Sequence, residues 1–211
     1  MEQVQYEQGI AELLLAEIPR DVTHAINEGL LAGARRAYAK TKDLNKGHRA
    51  NGLGQERHFL MNEAFHTALA VHNASPTPIH GNDLIVGHQG EIMLGRVNVG
   101  PVWNNCRRSI TRRRLCAYNE ALGHWVEADL FSEPPPHTAI AAFFVAVFSK
   151  DQSELPTSIQ ISVPDADMSK WLFREDVEKF LRRYDDPPMT QEDLAQPRLK
   201  AALRKQNESE K

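Results

Sequence analysis

Residues 138–148 read TAIAAFFVAVF. Apart from Thr138, every side chain in this run is apolar. A strand with one wet face alternates polar and apolar positions, whereas a strand covered on both faces does not. The run is about half the length that a bilayer-spanning helix requires. Its Phe and Val content favours a strand over a buried helix. A strand buried on both faces needs partner strands beside it and packed elements above and below. The run therefore predicts the centre of a sheet inside a mixed α/β (α+β) fold.

Working outward, residues 157–163, TSIQISV, alternate with a period of two and predict a neighbouring strand that Pro164 stops. On the other side, FSEPPPH at 131–137 is a stiff proline linker. Residues 83–88, DLIVGH, and 91–99, EIMLGRVNV, read as two strands joined at Gln89-Gly90 into a hairpin. Gly100-Pro101 closes the second strand.

Helical spacing fills the rest. Ile10, Leu13, Leu14 and Ile18 recur at three- and four-residue intervals, and Pro19 interrupts them. Asp21 opens a second helix to about Thr41, with Gly29, Gly33 and Ala37 on a small-residue face suited to close packing. Residues 43–54, DLNKGHRANGLG, are expected to be a loop because of three glycines and two asparagines. A third helix is expected over 55–73, a fourth over 103–123, and a fifth over 167–184, the last with Asp167 as N-cap and Pro187-Pro188 as terminator. The expected organisation is an N-terminal helical segment (1–73) packed on a mixed α/β core (74–188), followed by a mobile polar C-terminal tail (189–211). The core is a small mixed β-sheet with packed helices.

The 211 residues carry a formal net charge of −3 and a mean hydropathy of −0.49. Such a chain is not a polycation, so any contact with a polyanion must be local. The opening MEQVQYEQGI does not read as a secretory signal. With no membrane span, the expected setting is cytoplasmic. Cys106 and Cys116, placed ten residues apart on one helix, are about 15 Å apart and beyond disulfide reach.

The main functional clue is RVNVGPVWNNCRRSITRRRLCAYNE, residues 96–120. Between Glu91 and Glu120 there is no acid, and six arginines stand there: Arg96, Arg107, Arg108, Arg112, Arg113 and Arg114. Such a concentration costs self-repulsion unless carboxylates or an external anion offset it. On a continuous helical wheel, Trp103, Cys106, Ile110, Ala117, Ala121 and Trp125 share one face. Arg107 and Arg114 border that face and are expected to be partly buried. Arg108, Arg112 and Arg113 point outward. The guanidinium fork suits phosphate, and Asn104 and Asn105 can add hydrogen bonds. DNA or RNA is the expected partner.

A second class of reading is a phosphodiester hydrolase. The hairpin supplies Asp83 and Glu91 as metal acids, here for a divalent cation such as magnesium, with His88 to handle the water. This order of acids on adjacent strands resembles in outline the core of the restriction-endonuclease-like nucleases. That family continues with a lysine two residues after the second acid. Here the strand reads EIMLGR, so the lysine is missing and membership is not assigned. A third reading is a non-catalytic scaffold in which the arginines are ion-paired, with the oligomeric state open, a homodimer included. His58, Asn62, Phe65, His66, Leu69 and His72 fall on one face of the third helix, a mixed surface expected to be buried or to line a pocket. No HExxH, GxSxG or phosphate-loop pattern occurs.

Overall fold

The computed structural model describes residues 2–100, 109–120, 122, 139–149, 151 and 153–185, with side chains from Glu7 onward. The chain runs α1 (Glu2–Glu17), α2 (Arg20–Thr41), α3 (Lys46–Val71), β1 (Gly87–Gln89), β2 (Ile92–Val99), α4 (Ile110–Cys116), β3 (Ile140–Val147), β4 (Ser158–Pro164), β5 (Trp171–Asp176) and α5 (Val177–Arg182). A 3-10 turn, Ala117–Asn119, extends α4. The expected linker at 131–137 and tail at 189–211 lie outside the described residues.

The five strands form one sheet in the order β1-β2-β3-β4-β5. β2 and β3 are parallel, and the other neighbours are antiparallel. The sheet is therefore mixed, as the sequence predicts, and β3 is its middle strand. Every β3 side chain from Ile140 to Ala146 is buried. Ala142, Phe144 and Ala146 join the helical layer, where Leu14, Ile18, Ile26, Phe65 and Phe180 meet Leu94 and Ile161. Ala141, Phe143 and Val145 face the other way, onto Leu115, Cys116 and Met168. The apolar run lacks alternation because both of its faces are covered.

The small-residue face on α2 is a helix seam. A Cβ at Gly33 would meet Leu60 O and Met61 Cα at 2.9 Å, and one at Gly29 would meet Ala64 O at 3.2 Å. Only glycine admits the α3 backbone this closely. The hairpin turn is also as expected, with Gly90 at φ 55.

Four expectations need correction. Residues 46–54 are not a loop but the first turns of α3. Asn45 caps that helix by accepting from Gly47 N at 3.0 Å, and Leu53 is buried beside Ala37 and Leu60. That burial and cap outweigh a glycine cost of about 1 kcal/mol per residue. The helix expected over 167–184 is instead β5 followed by the six-residue α5. Ser169 N and Lys170 N donate to the Asp165 carboxylate, and Met168 at φ 60 turns the chain back along β4. Asp167 belongs to that turn, accepting from Ser169 N. The helix cap is Asp176, which accepts from Glu178 N.

The expected strand at 83–88 pairs with β2 only from Gly87. Before that, Val86 exchanges hydrogen bonds with Thr77, and Asp83 O accepts from Asn62 on α3. Finally, the described part of the arginine helix starts at Ile110, capped by Ser109 Oγ, which accepts from Arg112 N at 3.3 Å. Its buried residues are Leu115, Cys116, Asn119 and Leu122, whereas Ile110 is exposed and so is Ala117. The continuous wheel lost phase because Ser109 is extended, at φ −80 and ψ 120, and the helix tightens to 3-10 geometry after Cys116. Trp103, Cys106, Ala121 and Trp125 lie outside the described residues.

Candidate functional site

Arg96 sits at an inward position of β2, in line with Ile92 and Leu94, and is 3% exposed. Its guanidinium reaches across to α3. Nε donates to Asn62 Oδ1 at 2.8 Å, Nη2 to His58 O at 2.7 Å and Nη1 to Asn98 Oδ1 at 2.9 Å. All three acceptors are neutral, and no carboxylate among the described residues pairs with it. Burial, followed by the nearby Arg112 charge, pulls its pKa down to about 9, so it remains charged at neutral pH. A buried cation with only dipolar partners is costly, and its field is not cancelled locally.

Arg112, at the start of α4, is half-buried and close enough for its charge to act on Arg96 and His58. His58, on α3, feels both arginines. Its pKa is lowered by burial first, then by Arg96 and by Arg112, against a hydrogen bond to the Asn82 backbone that raises it. Arg57, one residue earlier, lies over the Phe148 ring at 3.7 Å and donates to Ser153 O. Burial lowers its pKa to about 10. Arg96 and the half-buried Arg112 thus stand together where α3, β2 and α4 come close, while the buried Arg57 reaches from α3 to the β3–β4 connection.

Arg113 and Arg114 are exposed, and neither makes an ion pair with a described residue. The outward placement of Arg113 matches expectation. Arg114, expected at the apolar border, faces solvent, and Arg112, expected outside, is the inward member, for the phase reason given above. Arg107, Arg108, Asn104 and Asn105 lie outside the described residues. The helix is anchored by Asn119, whose Nδ2 donates to Ala141 O at 3.0 Å and Pro164 O at 2.7 Å, while its Oδ1 accepts from Ala141 N at 2.8 Å. This side chain bridges the ends of β3 and β4.

Compared with models of known families, with curated proteins and with solved structures, the chain matches none of them.

The hydrolase carboxylates do not converge. Glu91 sits at the hairpin turn, its backbone N donating to Glu17 Oε2 at 3.2 Å. Asp83 is exposed, with its carboxylate 3.4 Å from His80 Nδ1. The antiparallel register carries the chain before Gly87 toward the Val99 end of β2, so the two acids lie toward opposite ends of the hairpin. His88 is exposed in β1 and bonds through its backbone to Ala74 O. No three His, Cys, Asp or Glu side chains gather to hold a metal ion among the described residues. The acids named for magnesium therefore do not fit it.

The mixed face of α3 is partly buried, as expected. Phe65, Leu69 and Asn62 are inside, and His72 bonds Asp21 at 2.9 Å. Sequence reasoning missed Arg57, Asn98 and Asn119 as site or anchor residues. Arg96 carried one readable signal, a charge at an inward position of an alternating strand.

Among the described residues, no helix is long and apolar enough to cross a membrane.

Proposed function

We propose that this protein binds the phosphates of a nucleic acid through α4. Arg113 and Arg114 are the outward contacts, and Arg112 sets the helix start beside the buried Arg96. The preceding Asn104, Asn105, Arg107 and Arg108 belong to the same acid-free stretch and extend the contact in sequence. The observation that carries this reading is the exposure of Arg113 and Arg114 without a carboxylate among the described residues. Arg96, buried near Arg112, adds fixed positive potential that salt screens less than it screens exposed charge. Guanidinium groups contact phosphate oxygens without reading bases, so the binding is weakly sequence-specific.

The test is fluorescence anisotropy with labelled duplex DNA and with single-stranded RNA over a salt series. Each phosphate contact contributes a slope of about 0.9 for duplex and about 0.7 for single strands in log K against log salt. Replacing both Arg113→Gln and Arg114→Gln should reduce the duplex slope by about 1.8. Binding should also raise the His58 pKa, followed by NMR, because phosphate opposes the field of the two arginines. Absence of salt-dependent binding by the intact protein to either nucleic acid refutes the proposal.

A further inference from the structure

The α2–α3 hairpin carries a second basic region, away from α4. Residues 35–49 read RRAYAKTKDLNKGHR and hold six Lys or Arg against Asp43 alone, a net +5 in a chain whose total is −3. Two of the six are tied down: Lys40 pairs with Glu56 at 3.3 Å and Arg36 with Glu63 at 3.8 Å. Arg35, Lys42, Lys46 and Arg49 pair with no carboxylate among the described residues. Every residue from Lys42 to His48 is exposed.

The architecture gives this cluster an outward position. Ala37, Leu53 and Leu60, with Tyr38, form a small core of their own, separate from the core that joins the helices to the sheet. Toward its turn, then, the hairpin is held by its own seam. Asn45 fixes the turn through Gly47 N, and Arg49 Nη2 donates to Leu44 O at 3.4 Å. The tip is a shaped end rather than a slack loop.

We infer that the hairpin tip, through Lys42 and Lys46, is a second phosphate contact for the same nucleic acid that α4 binds. This inference rests on the α4 reading above. α3 passes the end of the sheet where β2 finishes: Arg96 Nη2 donates to His58 O at 2.7 Å, and Arg57 covers the Phe148 ring, whose backbone N donates to Val99 O. The start of α4 is close enough there for the Arg112 charge to act on His58 and Arg96. From His58 to Lys46 along α3 is about 18 Å at 1.5 Å per residue. That corresponds to roughly five base pairs of duplex axis, less than one helical turn. One nucleic acid can therefore reach both patches. An anionic membrane is the weaker fit, because Leu44 is the single large apolar side chain exposed at the tip, too little apolar surface for insertion.

The experiment uses the full chain, a labelled duplex two helical turns long, and vesicles of phosphatidylserine and phosphatidylcholine. The variants are Lys42→Gln with Lys46→Gln, and separately Arg113→Gln with Arg114→Gln. Thermal unfolding checks that these exposed changes leave the fold intact. The tip variant should lose about 1.8 of the salt slope and on the order of 50-fold in affinity near 0.1 M salt. A tip variant that binds duplex like the unaltered chain, while the α4 variant weakens, overturns the tip contact and leaves the α4 reading standing. An unaffected α4 variant with a weakened tip variant does the opposite. Vesicle binding that depends on Lys42 and Lys46, with duplex binding unchanged in the tip variant, overturns the inference in favour of a membrane.

Discussion

Replacing Gly33 by alanine adds one methyl group where α2 and α3 come closest. Its Cβ would stand 2.9 Å from Leu60 O and from Met61 Cα, against 3.4 Å for the start of ordinary contact. Both neighbours are backbone, so the seam itself must open by about 0.5 Å. Overpacking of this kind costs about 1–3 kcal/mol. The alanine returns about 1 kcal/mol of helix propensity, leaving a net loss of up to about 2 kcal/mol. Gly54, in α3, has nothing within 4 Å of its Cβ position. There the propensity gain stands alone, and Gly54→Ala should stabilise by about 0.5–1 kcal/mol. The same substitution thus has opposite signs at two sites on one hairpin. For a chain of this size a difference of up to about 3 kcal/mol between the two variants separates their Tm values by up to roughly 12 °C. Thermal melts followed by far-UV circular dichroism, with urea titration as a check, measure it. Equal shifts of the same sign would refute the close seam and the packing argument built on it.

Two further outcomes follow from single side chains. Burial alone pushes the Glu175 carboxyl up. Hydrogen bonds from Arg183 and Lys179, and then their charges, more than reverse this, so it titrates below its ordinary 4.5. The stability linked to it is therefore full above pH 4.5 and is lost as pH falls through the lower folded value. Glu175→Gln should flatten this part of the acid-unfolding profile in urea melts taken across the acid range, and an unchanged profile would count against the linkage. Asn119→Ala strips partners from Ala141 N, Ala141 O and Pro164 O, for a loss of about 3–5 kcal/mol. Hydrogen exchange should show the Ala141 amide unprotected, and retained protection would show that another group takes over the bond.

The centre of the fold was legible because its signals are local and physically unambiguous. The run ending at Phe148 has no polar position to turn outward, and Gly29 and Gly33 leave no side chain to pack, only an approach to permit. Where the reading failed, distant partners decided. Trp171, Leu172, Val177, Phe180, Leu181 and Tyr184 satisfy a helical period, yet the first part pairs with β4, a contact that no spacing within the segment encodes. Three glycines argue against helix over 46–54, but Leu53 finds its pocket on α2. The basic stretch was plain as composition. Which arginine turns inward depended on the cap at Ser109, and the neutral acceptors of Arg96 depended on the register of β2 against α3. Asp83 and Glu91 looked like neighbours on paired strands, but the antiparallel direction of a hairpin separates the starts of its two strands.

Asn119 occupies a place where a peptide group of another strand would ordinarily sit. The last turn of the arginine helix is thereby riveted into the sheet fork, and the guanidinium groups ride on a rigid frame instead of a swinging arm. A ligand landing on Arg113 and Arg114 has little backbone freedom to freeze, so its binding should be fast to form and governed by charge, with little ordering to offset.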